Sequence, residues 1–181
     1  MSIPNIITLA RLMAVPLTIW LIMSGELGIA FALFVLAGVS DAVDGYLAKR
    51  FNSSTPLGAV LDPIADKVLL VSVYVALAAT DKLPLWLVIL VVFRDLLIIG
   101  GALLVLALAQ PVRWQPLMIS KLNTTLQIVL VALVLARTGL GLDDFGISKP
   151  LIYIVAVTTF MSGAAYVIRW ARGLSGLEEA P

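Results

Sequence analysis

The chain contains no cysteine and no histidine. The first absence removes disulfides, thiol nucleophiles and zinc fingers. The second removes the usual general base near neutral pH. Any proton acceptor is then a carboxylate, or failing that a lysine or tyrosine. Charge is scarce: 13% of the residues are Asp, Glu, Lys or Arg, and the net charge is +1, against about 25% charged in an ordinary soluble domain. No basic tract occurs, so a nucleic-acid partner is not expected. The opening SIPNIITLAR lacks a basic leader and a small-residue cleavage site, so no secretory signal is expected either. What fills the chain is hydrocarbon. Of its residues 61% are hydrophobic and the mean hydropathy is +1.09. The excess runs the whole length, which predicts one membrane domain over residues 1–181.

A membrane span needs about 20 mostly apolar residues. Segments meeting this run approximately Leu9–Met23, Leu27–Leu47, Leu57–Thr80, Leu85–Leu108, Leu117–Ala136 and Leu151–Trp170. The expected fold is an all-α integral membrane protein of six transmembrane helices. The amphipathic stretch Ile3–Arg11 is expected to precede them as a short interfacial helix. Arg11, Lys49, Arg50, Arg113, Lys121, Arg169 and Arg172 fall on one side, which the positive-inside rule places in the cytoplasm together with both termini.

Against this background four aspartates stand out, in the run DAVDGYLAKRFNSSTPLGAVLDPIADK from Asp41 to Lys67. A carboxylate in or beside hydrocarbon is costly, and is a functional hypothesis by default. Asp41 and Asp44 are i,i+3 at the cytoplasmic end of the second segment. Asp62 and Asp66 are i,i+4 at the start of the third. Each pair shares one face of its helix. Facing carboxylates repel, and divalent cations would cancel that repulsion; hard oxygen ligands suit Mg²⁺, Mn²⁺ or Ca²⁺. Gly45 and Gly58 suit a close backbone approach, and Gly38, a turn before Asp41, is expected to let helices pack tightly.

The run D-x2-D-G-x2-A-K-x8-G-x3-D-x3-D resembles the signature of the CDP-alcohol phosphatidyltransferases. Four Asp, two Gly and one Ala at that spacing have a chance probability on the order of 10⁻⁸–10⁻⁹ per start at ordinary residue usage. The family usually has Arg where this chain has Lys49; charge is kept, with Arg50 following, while fork-like recognition of phosphate is not. The resemblance implies six transmembrane helices, a cytoplasm-facing cavity and a homodimer. It implies that Asp41, Asp44, Asp62 and Asp66 hold two divalent ions, Mg²⁺ or Mn²⁺, and that Asp66 is also the catalytic base. It implies that Gly45, Lys49, Thr55 and Asp62 meet the CDP group of CDP-diacylglycerol. The opening PNIITLAR, with Asn5, Thr8 and Arg11, is similar to the family's N-terminal element that approaches the nucleotide diphosphate.

The second half bears on the acceptor. Arg94 and Asp95 lie inside the fourth apolar segment, where charges need partners or a wet cavity. Two readings stand: a structural ion pair with neighbouring helices, or an Arg94 fork held against an acceptor phosphate. Lys121, Thr124 and Gln127 follow at i,i+3 steps and form a polar stripe. Family members that use glycerol 3-phosphate show Lys-x-Lys-Thr here, whereas this chain has Asn123 at the second lysine. A phosphomonoester carries nearly two negative charges and a phosphodiester one, so losing a cation favours phosphatidylglycerol. Arg94, Lys121 and Asn123 are the candidate acceptor contacts. With IPNIITLARL and RDLLIIGG, the pattern is similar to the CMP-forming cardiolipin synthases, and implies transfer from CDP-diacylglycerol to phosphatidylglycerol. The alternatives are phosphatidylglycerophosphate synthesis from glycerol 3-phosphate, by the same chemistry, and a cation-coupled transporter, since intramembrane acids also mark ion pathways.

Overall fold

The computed structural model describes the backbone of residues 3–51, 56–107 and 117–175, and the side chains of 10–40, 65–101 and 117–170. Among the described residues six helices follow one another: α1 Ile3–Met23, α2 Leu27–Phe51, α3 Pro56–Ala79, α4 Leu85–Ala107, α5 Met118–Leu140 and α6 Ser148–Ser175. Each covers one of the six apolar segments to within one residue. The Ile3–Arg11 stretch is not an element of its own; it is the opening of α1, which continues through Pro16 to Met23. Pro4 does not interrupt it, because at the second helical position its missing N–H would have no intrahelical acceptor.

Where helices end, the ends are made by local chemistry. After α1, Glu26 N–H donates to Leu21 O at 2.9 Å and Gly25 N–H to Ile22 O at 3.2 Å, with Gly25 at φ 86°. That pattern satisfies the last carbonyls of the helix and needs a left-handed residue, which glycine supplies at least cost. After α3, Lys82 N–H donates to Leu77 O at 2.8 Å, and Asp81 takes the left-handed position at φ 56°. After α5, Leu142 N–H reaches Arg137 O at 2.9 Å, with Gly141 at φ 66°. Helix α5 thus runs past its apolar segment, through Arg137 and Thr138, until Gly141 stops it.

The chain forms two compact units. The first comprises residues 1–85 and 131–145. In it α1 packs against both α2 and α3, around a core that includes Ile22, Ala30, Ala65, Val73, Tyr74, Leu77 and Leu135. Gly139 approaches the start of α2 so closely that an added Cβ would overlap the backbone of Leu27 and Gly28. Gly38, by contrast, has nothing within 4 Å of such a Cβ among the described residues. Among the described residues, the close small-residue approach is that of Gly28 and Gly139. An alanine at 139 is expected to destabilise the protein by about 1–3 kcal/mol, because backbone cannot move aside for it. Gly38→Ala is expected to be neutral or slightly stabilising. Thermal unfolding in detergent checks the pair, and equal midpoints would count against the close crossing.

The second unit comprises residues 86–130 and 146–181. Its core mixes Leu87, Val88, Val91, Leu130 and Val155 with buried Arg94, Asp95, Asn123, Gln127, Thr159 and Ser162. Trp86 and Tyr153 stack with ring centroids 6.1 Å apart. Gly101 admits the Trp170 indole, which a Cβ there would displace.

Across both units large apolar side chains stand exposed, among them Trp20, Phe93 and Phe160, each more than 60% accessible. Scattered exposed apolar residues are ordinary in soluble proteins, but whole helix faces of them suit lipid. Among the described residues, Met118–Leu140 and Ser148–Trp170 are long and apolar enough to cross a membrane. The protein is all-α, with the helices of a membrane-associated chain.

Candidate active site

Helix α2 runs through Asp41 and Asp44, and α3 through Asp62 and Asp66, without a break. The i,i+3 and i,i+4 spacings therefore hold, and each pair lies on one side of its helix. The side chains of Asn5, Thr8, Asp41, Asp44, Gly45, Lys49 and Asp62 lie outside the described residues, as does Thr55 altogether. Among the described residues no three acidic, histidine or cysteine side chains come together.

Asp66 is described, and its setting is informative. Its side chain is 47% accessible, and its Oδ1 receives a hydrogen bond from Arg11 Nη1 at 2.7 Å. Arg11 is 4% exposed. The arrangement follows from α1 packing on α3, which brings a cation from one helix onto the acid of the other across 55 residues of chain. Ala65, the residue before Asp66, is fully buried, so the helix turns its small side chain inward and leaves its acid half open. An accessible carboxylate, one turn of helix from a second, fits a hard divalent cation by the chemistry of its donor set. Lys67 follows, partly exposed.

In the second unit the Arg94 guanidinium is 2% exposed and every nitrogen donates within the protein. Nη1 donates to Asp95 Oδ1 at 2.7 Å, Nε and Nη2 donate to Ser162 Oγ at 3.1 and 2.6 Å, and Nη2 also donates to Ser120 Oγ. Gly163 packs beside the Arg94 side chain, whose Cγ would be in ordinary contact with a Cβ there, at 3.6 Å. One planar fork thus ties α4 to α5 and α6.

The stripe expected along α5 divides. Lys121 is exposed. Thr124 turns its hydroxyl back to donate to Ser120 O at 3.1 Å. Asn123 and Gln127, at i,i+4, are fully buried. Asn123 Oδ1 accepts hydrogen bonds from Thr159 Oγ1 at 2.8 Å and Thr158 Oγ1 at 2.9 Å, and Gln127 Nε2 donates to Thr159 Oγ1 at 3.4 Å. Polar ties of this kind hold helices together where lipid gives no hydrophobic drive. Sequence reasoning did not pick out Ser120, Thr158, Thr159 or Ser162. The signal for the last three is that polar residues recur, as TT and S, inside the apolar segment of α6; Ser120 shows only as a neighbour of Lys121 in α5.

Helices with exposed apolar faces suit a membrane-associated protein, and two successive helices of this chain carry the acidic run. The sequence profile of the family CDP-alcohol phosphatidyltransferase matches residues 1–167. The chain belongs to that family, and is an enzyme of its transfer class. It is 35% identical over 182 residues to the cardiolipin synthase (CMP-forming) / mitochondrial hydrolase fusion protein of Schizosaccharomyces pombe, covering 92% of this chain and 31% of that protein. It is 45% identical over 111 residues to the cardiolipin synthase (CMP-forming) of Streptomyces coelicolor, covering 57% of this chain and 52% of that one. It is 30% identical over 181 residues to the CDP-diacylglycerol--glycerol-3-phosphate 3-phosphatidyltransferase of Bacillus subtilis, covering 91% of this chain and 93% of that one. The chain spans between 31% and 60% of the length of the cardiolipin synthases it matches.

Proposed function

We propose that this protein transfers a phosphatidyl group from CDP-diacylglycerol to the hydroxyl of phosphatidylglycerol, giving cardiolipin and CMP, in a reaction that needs divalent cations. It does so as a six-pass homodimer with its active site and both termini on the cytoplasmic side. One observation carries the choice of acceptor. Of the three candidate acceptor residues, Lys121 alone offers a positive charge at an exposed position. Arg94 already faces Asp95, and Asn123 is neutral and turned into α6. A single open cation matches the single negative charge of a phosphodiester better than the near-double charge of glycerol 3-phosphate. Lys121 is then the contact, Arg94 supports it from the buried side, and Asn123 acts by withholding a charge.

The chemistry asked of the chain is positioning and electrostatics. Asp41, Asp44, Asp62 and Asp66 would hold two ions, Mg²⁺ or Mn²⁺. When bound, such ions neutralise a diphosphate and stabilise charge on departing CMP. Gly45, Lys49, Thr55, Asn5 and Thr8 would receive the CDP group. Asp66 takes the proton from the acceptor hydroxyl as its oxygen bonds to phosphorus and the bond to CMP breaks. With no histidine or cysteine in the chain, the displacement is direct and in line, without a phosphoryl-enzyme.

The B. subtilis relative, which the chain nearly spans, is named for the other acceptor, so glycerol 3-phosphate use is the rival reading. Purified protein given labelled CDP-diacylglycerol, Mn²⁺ and both acceptors together is expected to yield cardiolipin and CMP, with turnover lost in EDTA. Phosphatidylglycerophosphate as the main product would select the rival. CMP release unaffected by EDTA would remove the cations.

A further inference from the structure

We infer that Arg11 is a positioning residue for Asp66, its resident counter-ion in the cation-free protein, and that it competes with the divalent cation for that carboxylate. This rests on the reading of Asp66 as a cation ligand. Three observations support it. The pair is direct, with Arg11 Nη1 donating to Asp66 Oδ1 at 2.7 Å. It is asymmetric: the Arg11 side chain is 3% accessible and the Asp66 side chain 47%. The guanidinium is therefore the fixed member, held in the packing of α1 on α3, and the carboxylate is the member that solvent and ligands reach. Finally, the pair joins one end of the proposed donor set to a helix that supplies no acid of its own, since α1 contains no Asp or Glu.

The physical consequence follows from charge. A lone group of carboxylates at a membrane surface is self-repelling. A buried guanidinium beside one of them offsets part of that repulsion while the site is empty, and holds the Asp66 rotamer in place. When a dication occupies the site, the same guanidinium is a like charge within a few ångströms of it, and the Oδ1 it occupies is shared or yielded. Arg11 thus keeps Asp66 ordered and weakens cation binding at once. The cation site is consequently tuned for reversible filling, with the substrate diphosphate supplying the additional negative charge that favours it. Lysine would keep the charge and lose the planar fork; glutamine would keep a donor and lose the charge.

Mn²⁺ binding to the substrate-free, detergent-solubilised full chain, followed by electron paramagnetic resonance, tests this without turnover. Arg11→Gln is expected to bind Mn²⁺ about tenfold more tightly than wild type, with Arg11→Lys within about twofold of wild type. In activity assays the glutamine variant is expected to show a lower Mn²⁺ activation constant together with a reduced kcat, since Asp66 is no longer held. A merely structural Arg11 would lower the unfolding temperature and leave Mn²⁺ affinity alone, and unchanged or weaker binding in Arg11→Gln overturns the inference. If wild type itself binds no Mn²⁺, the cation-site reading fails first and takes this inference with it. Should the glutamine variant not fold, the wild type decides: the Arg11 guanidinium resonance of ¹⁵N-arginine-labelled protein, assigned with Arg11→Lys, is expected to shift on Mg²⁺ saturation. A resonance that stays put overturns the proposal.

Discussion

Asp66→Asn is expected to lower turnover by at least about 10³-fold while the protein still folds. General-base contributions alone are typically about 10²–10⁴, and the same change removes a charged cation ligand. The fold is expected to survive because asparagine has the shape of aspartate, and its amide oxygen can still accept the Arg11 N–H that Asp66 Oδ1 now accepts at 2.7 Å. Nearly half of the side chain is already in contact with solvent, so no void opens. Size-exclusion profile and unfolding temperature establish folding, and CMP release establishes turnover. Turnover within tenfold of wild type in a folded variant would remove Asp66 from the base role. Asp66→Ala is the less informative change, since it also leaves the buried Arg11 without this acceptor.

Arg94→Met is expected to be the most destabilising single substitution considered, at about 3–5 kcal/mol, the range for removing one partner of a buried ion pair. Methionine fills a similar volume, so the loss is electrostatic. The guanidinium spans three helices through Asp95, Ser120 and Ser162, and its removal leaves the 4%-exposed Asp95 without its neighbouring cation. Combining Arg94→Met with Asp95→Leu is expected to recover much of the loss, because a buried pair replaced by apolar residues is often neutral. Unfolding in a detergent titration measures both. A single variant within about 1 kcal/mol of wild type would show that Arg94 does not hold these helices, and a double variant no better than the single would show that the loss does not come from the Asp95 charge.

The two substitutions separate what was legible at different ranges. Helix existence was legible in all six cases, because hydropathy over 20 residues is a short-range property. Ends were less so. The apolar segment Leu117–Ala136 stops before the helix, which runs to Leu140, and α6 starts at Ser148, ahead of its apolar segment. Hydropathy marks what lies in oil, whereas capping residues such as Gly141 decide where the helix stops. The stripe read along α5 was half right: Gln127 is on it, but its partner on the buried face is Asn123 rather than Thr124.

The chain alone determined the class of fold, the spacing that puts Asp41 with Asp44 and Asp62 with Asp66, and the family signature, since all of these are set by residues within a few turns of one another. Tertiary structure decided who meets whom. Arg11 reaches Asp66 across 55 residues, Arg94 reaches Ser162 across 68, and Thr159 reaches Asn123 across 36. Helical periodicity states which face a side chain occupies, but the helix standing opposite that face is chosen by how the whole bundle packs.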